Sequence, residues 1–304
     1  MSGLLVVRPG ALTTVQDRGR PGYAHLGVPR SGALDSAAHA LANRLLGNPP
    51  DAAALETTLD GVGLRALAAT SVAVTGAPCS VRISGRPVAW GAPVRLPAGA
   101  ELEVGRAESG LRSYVAVRGG LGVPPVLGSR STDLLSGLGP PVLAAGALLP
   151  VGPAGPDPSP GADACGLPGA PSELLLPLRL GPRADWFSPA SLAGLWRCGF
   201  RVSAMSNRIG LRTEGGAPLV RARSGELASE GMVLGAVQVP PDGLPVVFLA
   251  DHPVTGGYPV VGVVPAGPAL DAAAQARPGI PVRFVPARVG TGPGNRAGTG
   301  AGTR

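Results

Sequence analysis

The sequence predicts a mainly β protein made of two β-rich domains with a few short helices. Three observations predict it. Gly (48) and Pro (35) sit between short apolar runs such as "SVAVTG", "SYVAVRGG" and "PVVFLAD", which is how short strands joined by tight turns read. Only three segments carry helical periodicity. A Pro/Gly-rich stretch without periodicity, "VGPAGPDPSPGADACGLPGAP", interrupts the chain near its middle. The expected organisation is a first domain over 1–150, a linker over 151–171, a second domain over 172–288 and a disordered tail over 289–304.

Taken in order, strands are expected at Leu4–Arg8, Ser71–Thr75, Val81–Ser84, Glu101–Val104 and Arg112–Val117 in the first domain. In the second they are expected at Leu174–Leu180, Phe200–Ala204, Met232–Val239, Val246–Ala250, Val260–Val264 and Val282–Val285. The first helix covers about 36–46, capped by Asp35 or Ser36, with Ala37, Leu41 and Leu45 on one face and Gly47 and Pro49 stopping it. Ser188 and Pro189 supply a cap and a first-turn proline for "ASLAGLWR", and "ALDAAAQAR" is halted by Pro278. Many short strands and few helices favour barrels or sandwiches.

Composition excludes several functions. All 26 basic residues are Arg and none is Lys. A Walker-type phosphate loop and a Schiff-base mechanism both need Lys, and covalent biotin has nowhere to attach. The net charge of +7 comes from scattered Arg with only 3% aromatic residues, which argues against a nucleic-acid platform. No apolar run reaches the length of a membrane span. Cys79, Cys165 and Cys198 are odd in number and far apart, so neither a disulfide framework nor a metal site is expected, and a cytoplasmic location follows.

Four segments concentrate chemistry. In "TVQDRGRPGYAHLGVPRSGALD", Asp17 and Arg18 can meet a substrate amide and carboxylate, the guanidinium matching a carboxylate bidentately, and Tyr23 lies among glycines where its ring can face a ligand. In "RGGLGVPPVLGSRSTD", Gly119 and Gly120 permit close backbone approach, and Ser129, Arg130 and Ser131 add hydroxyls and a guanidinium, the makings of an anion site. In "ASEGMVLGAVQVP", Glu230 and Gln238 are eight residues apart and would share a face of one regular strand, unless Gly231 and Gly235 bulge it. In "LADHPVTGGYPVVG", Thr255, Gly256, Gly257 and Tyr258 form a polar loop between strands. Asp251 and His252 are adjacent, which on a strand points them apart, and no nucleophile elbow accompanies them, so a serine-hydrolase triad is not expected. The alternative for each segment is an ordinary turn or a filled barrel mouth.

In this order the four segments resemble the family of 5-oxoprolinase C subunits, also known as allophanate hydrolase subunit 2 or the Kip-inhibitor antagonist family, over nearly all of residues 4–288. The same module forms part of the carboxyltransferase region of urea carboxylase. The resemblance implies two cyclophilin-like β-barrels and a B-type partner resembling the Kip inhibitor. With a third, A-type component, such a complex opens 5-oxoproline to glutamate using ATP, held by this chain or by the complex. Position by position, Gln16, Asp17, Arg18, Gly19, Tyr23, Ser31, Gly32 and Asp35 match the first signature, and Asn43 and Glu56 match the helix and strand after it. Gly119, Gly120, Ser129, Arg130 and Ser131 match the second. Asn207 and Arg208 stand where the family often has Asp-Arg. Glu230, Gln238 and Pro240 match the third, and Thr255, Gly256, Gly257, Tyr258 and Gln275 the fourth. The resemblance assigns catalysis to Asp17, Arg18 and Glu230 and substrate binding to Gln16, Tyr23, Ser31, Asp35, Gly119, Gly120, Ser129, Arg130, Ser131, Asn207, Arg208, Gln238, Thr255, Gly256, Gly257 and Tyr258, with Asp17, Arg18, Glu230 and Tyr258 expected to line one pocket around a small amide or lactam. Two departures stand out. "GLGPPVLAAGALLPVG" lacks the Arg and Gly-Asp usual there, and Asp251-His252-Pro253-Val254 replaces the usual Asp-Arg-Gln-Thr. Two alternatives stay open: a biotin-dependent carboxyltransferase half acting on urea, and a non-enzymatic antagonist of a kinase inhibitor.

Overall fold

The computed structural model describes residues 3–155 and 172–287. The tail expected over 289–304 and the expected linker from residue 156 onward lie outside the described residues. In the first half the elements run β1 (Gly3–Arg8), β2 (Leu12–Gln16), α1 (Ser36–Leu45), β3 (Ala54–Thr58), β4 (Gly63–Ala66), β5 (Thr70–Gly76), β6 (Cys79–Ile83), β7 (Arg86–Pro87), β8 (Pro93–Leu96), β9 (Glu101–Ala107), β10 (Arg112–Val117) and β11 (Leu148–Pro150). The second half runs β12 (Leu174–Leu180), α2 (Pro189–Leu195), β13 (Phe200–Val202), β14 (Gly210–Glu214), β15 (Glu230–Gly231), β16 (Ala236–Gln238), β17 (Val246–Phe248), β18 (Thr255–Gly256), β19 (Val260–Val263), α3 (Pro268–Gln275) and β20 (Pro281–Pro286).

The second half closes a barrel in the order β12-β19-β16-β17-β14-β13-β20. The first half makes two sheets, β11-β1-β4-β9-β6-β7 and β2-β3-β10-β5-β8, whose inner faces share one apolar core containing Leu4, Leu55, Leu64, Val74, Leu102 and Val115. β10 is buried along its whole length because α1 covers its other face, where Ala42, Leu45 and Leu46 pack on Ala73, Tyr114 and Ala116. That explains a strand sequence, "RSYVAV", with no polar-apolar alternation.

The capping chemistry holds the helices where the sequence puts them. Asp35 accepts from the backbone N–H of Ala38 and starts α1, and Ser188 accepts from Ser191 at the start of α2. The expected strand Met232–Val239 is not continuous. Gly235 takes a positive φ (79°), and a Cβ there would lie 2.1 Å from the Val264 carbonyl oxygen, so the chain turns at a point only glycine tolerates. Residues 151–155, expected in the linker, pack on the first half instead. Val151 bridges to Leu121, and Gly152 donates to the Gly120 carbonyl. Among the described residues no helix is long and apolar enough to cross a membrane.

The halves interlock. Leu34, from the first, packs into the second half's core with Leu249, Leu270 and Ala274. Gln275, the last residue of α3, receives hydrogen bonds from the backbone of Leu111 and Arg112 (2.9 Å each) and donates to Asp35 (2.7 Å).

Candidate functional site

Between the halves lies a cavity of about 470 Å³. Its apolar wall includes Leu34, Leu234, Leu249 and Leu270, and its polar groups are Asp17, Arg18, Arg30, Ser31, Ser36, His39 and Asp271. An apolar wall with a few placed polar groups is how small-molecule sites are usually built.

Beneath the cavity two loops are fixed by buried carboxylates. Asp17 Oδ1 accepts from Ser129 Oγ (2.6 Å), Ser131 Oγ (2.6 Å) and the Gly19 N–H (2.7 Å), while Oδ2 accepts from the Arg130 N–H (2.6 Å). Both oxygens are engaged, so Asp17 organises the loops and the free group it positions is its neighbour Arg18. Asp251, seen in the sequence as a rejected triad member and as the start of a segment departing from the family pattern, accepts a two-pronged pair of bonds from Arg208 Nε and Nη2 (2.9 Å each). It also accepts from the Leu134 N–H (3.1 Å), and Ser31 Oγ lies 2.8 Å away.

Arg208 is the keystone of this network. Fully buried, it also donates to Glu56 and to the Gly32 carbonyl (2.7 Å), so one guanidinium from the second half satisfies a carboxylate from each half. Glu56 in turn accepts from Tyr114 Oη (2.8 Å) and the Leu34 N–H (2.9 Å), and Arg112 Nε stands 3.6 Å from it. Burial pushes the Glu56 carboxyl up, but Arg208 and Arg112 more than offset it, and it is held below the usual glutamate range. The same burial, with Glu56 beside it, pushes Tyr114 well above the usual tyrosine value.

His39 stands on α1 facing the cavity. It donates from Nε2 to the Gln16 carbonyl (3.1 Å), and burial lowers its pKa below 6.5, so at neutral pH it is an uncharged imidazole. His252 is also shifted down by burial. Its Nδ1 donates to the Pro253 carbonyl (2.8 Å) and its ring stacks on Phe248, which takes it out of any relay with Ser31 and Asp251.

The remaining expected residues fall elsewhere. Gln16 is buried under the first loop, donating to Thr14 and Thr132. Asp35 caps α1, Asn207 closes a turn onto Ile209 and Gly210, and Tyr23 is half-exposed in its loop. Gly119, Gly120 and Arg130 line a second cavity of about 660 Å³ on the first half. Glu230, Gln238 and Thr255–Tyr258 form a third group on the second half. There β15 pairs with β18, Arg183 pairs with Glu230, Gln238 donates to the Tyr258 carbonyl (3.2 Å), and Arg221 lies over the Tyr258 ring. The expectation that Asp17, Arg18, Glu230 and Tyr258 line one pocket is therefore corrected. The turn at Gly235 separates Glu230 from the Gln238 strand and places it in a two-stranded ribbon, and neither Glu230 nor Tyr258 lines the cavity between the halves. Arg30, His39, Arg112, Arg183 and Asp271 were not singled out in the sequence. No spacing rule marks them, because their partners come from distant segments.

The family description "Carboxyltransferase domain, subdomain A and B" matches residues 26–286, which is most of the chain. The chain belongs to this carboxyltransferase family. Within the family it is 39% identical to the C subunit of 5-oxoprolinase from Escherichia coli over 86% of this chain and 84% of that protein. It is 33% identical to urea amidolyase of Lachancea kluyveri over 92% of this chain but only 17% of that much longer protein. Among solved structures, TTHA0988 shares 36% identity with a TM-score of 0.83, covering 94% of this chain and 56% of that one. The Kluyveromyces lactis urea carboxylase superposes with a TM-score of 0.85 at 32% identity, over 93% of this chain and 27% of that one.

Proposed function

We propose that this chain is the C-type subunit of an ATP-dependent 5-oxoprolinase working in the cytoplasm with a B-type and an A-type partner. The observation that carries the reading is the match in extent: the chain and its Escherichia coli relative correspond over 86% and 84% of their lengths. In the reaction, water adds across the lactam C–N bond, giving a carboxylate and an amine, and ATP hydrolysis drives the step. In this reading the cavity between the halves holds the lactam. The uncharged His39 is in the protonation state needed to accept a proton. The apolar wall keeps bulk water out. Purified together, the three proteins should release glutamate and ADP in equal amounts from 5-oxoproline and ATP. Inactivity of a stable, correctly assembled complex would refute the proposal.

A second reading, the amide-carboxylating half of a biotin-dependent enzyme, is favoured by the TM-score of 0.85 to urea carboxylase. Because these 304 residues hold no Lys, biotin would have to be carried outside them. Carboxylation of urea on adding a biotinylated carrier and a biotin carboxylase would support that reading over the first.

A further inference from the structure

Two arginines on the solvent-exposed rim of the cavity between the halves, Arg18 and Arg30, have no hydrogen-bond or ion-pair partner for their guanidinium groups among the described residues. Other arginines that reach inward are engaged: Arg20 by the Ser131 carbonyl, Arg112 by the Ala274 carbonyl, Arg208 by Glu56 and Asp251, and Arg277 by the Gly110 and Ala107 carbonyls. The unpaired two are held side by side by their backbones. The Arg20 N–H donates to the Arg30 carbonyl (2.7 Å), and the Ala33 N–H to the Asp17 carbonyl (2.9 Å). The loops touch so closely that a Cβ on Gly19 would lie 2.5 Å from both the Arg30 and Ser31 carbonyl oxygens, and one on Gly32 would lie 2.9 Å from the Arg18 carbonyl carbon. Below them Asp17 and Ser31 tie both loops to buried partners.

Two positive groups over an apolar wall suit one anionic group of a ligand, with the planar fork matched to a carboxylate. Asp271 lines the same cavity. Its Oδ1 accepts from Ser36 and its Oδ2 has no partner among the described residues, which leaves an acceptor for a ligand N–H. A small molecule carrying both an acid and an amide N–H fits this set, whereas a neutral amide leaves both guanidinium groups unmatched. The geometry points to Arg30 as a specificity-determining residue that, with Arg18, receives the carboxylate of the substrate, so the cavity takes acid-bearing lactams over their neutral counterparts. This rests on the reading of the chain as one component of a 5-oxoprolinase.

The test is calorimetric binding of 5-oxoproline and of 2-pyrrolidinone, the same ring without the acid, to the full chain alone and with its A-type and B-type partners. Wild type should prefer 5-oxoproline by about tenfold or more, the size of a charge-assisted pair lost. Arg30→Gln and Arg18→Gln should each remove most of that preference while leaving 2-pyrrolidinone binding unchanged, and Arg30→Lys should restore part of it. Arg86→Gln, an exposed arginine away from the cavity, should change nothing. Equal binding of the two rings by wild type, binding of neither, or full selectivity in Arg30→Gln would overturn the inference. So would competition by inorganic phosphate or ATP without any preference between the rings, since the arginines would then serve phosphate. Selective binding without turnover by the assembled complex would leave this inference standing and remove only the reading it rests on.

Discussion

Glu56 and Glu230 are both glutamates paired with arginine, one between the halves and one on the surface of the second half. Side chains in the Glu56–Arg208 pair are 1% exposed, whereas Glu230 and Arg183 keep 30% and 37% of theirs. A buried ion pair is costly to form but costlier to break, because the survivor is stranded without water, while an exposed pair exchanges freely with solvent. The difference separates what holds the two halves together from what is free to meet a ligand or partner.

The largest expected effect is on the buried side. Arg208→Met would strand Glu56 and Asp251 and should lower the unfolding free energy by about 3–5 kcal/mol in urea titrations. A loss below about 1 kcal/mol would mean water already reaches the pair. Next is Gly19→Ala, whose methyl would collide with the Arg30 and Ser31 carbonyls at a positive φ of 80°. The expected cost is about 1–3 kcal/mol together with weaker binding in the cavity.

The third prediction concerns acid. His39 and His252 have folded-state pKa values held below 6.5, so the unfolded chain takes up protons first as pH falls through that value, and stability present at neutral pH is progressively lost. Glu56, held below its ordinary 4.5, adds a second loss in the pH range beneath that value. Melting temperature recorded from pH 8 to 2 should therefore fall in two stages, and His39→Gln should flatten the first.

The smallest effect sharpens the comparison from the exposed side. Glu230→Ala should leave the melting temperature unchanged at low and high salt. If it also abolishes turnover, Glu230 acts in the chemistry; if turnover survives, its pairing with Arg183 is incidental.

Local signals in the sequence located much of the fold. "SYVAV" and "LLLPLRL" appear as strands at the expected bounds because their apolar runs are long enough to exclude other readings. Strands with polar residues on a buried face were missed. β2 (LTTVQ) and β3 (ALETT) are absent from the strands expected on periodicity, yet Thr13 and Thr57 bond each other across them and Glu56 is neutralised by Arg208, 152 residues away. The candidate site was legible where a motif is contiguous, as at Asp17–Arg18, and illegible where charges meet through folding. Arg30 carries no local signal that sets it apart, and Asp251 gained its meaning only with Arg208 beside it. The opposite error came from Glu230 and Gln238, whose even spacing implied a shared face that the turn at Gly235 removes.

Arg208 also limits how such a protein can be rearranged. Each half contributes a carboxylate that this one arginine must neutralise, so exchanging one half for a relative's is tolerated only when the matching counter-ion travels with it. The junction behaves as a key cut in two pieces: a drifting sequence can vary either barrel or sheet, but the acid at 56, the base at 208 and the acid at 251 have to change together or stay.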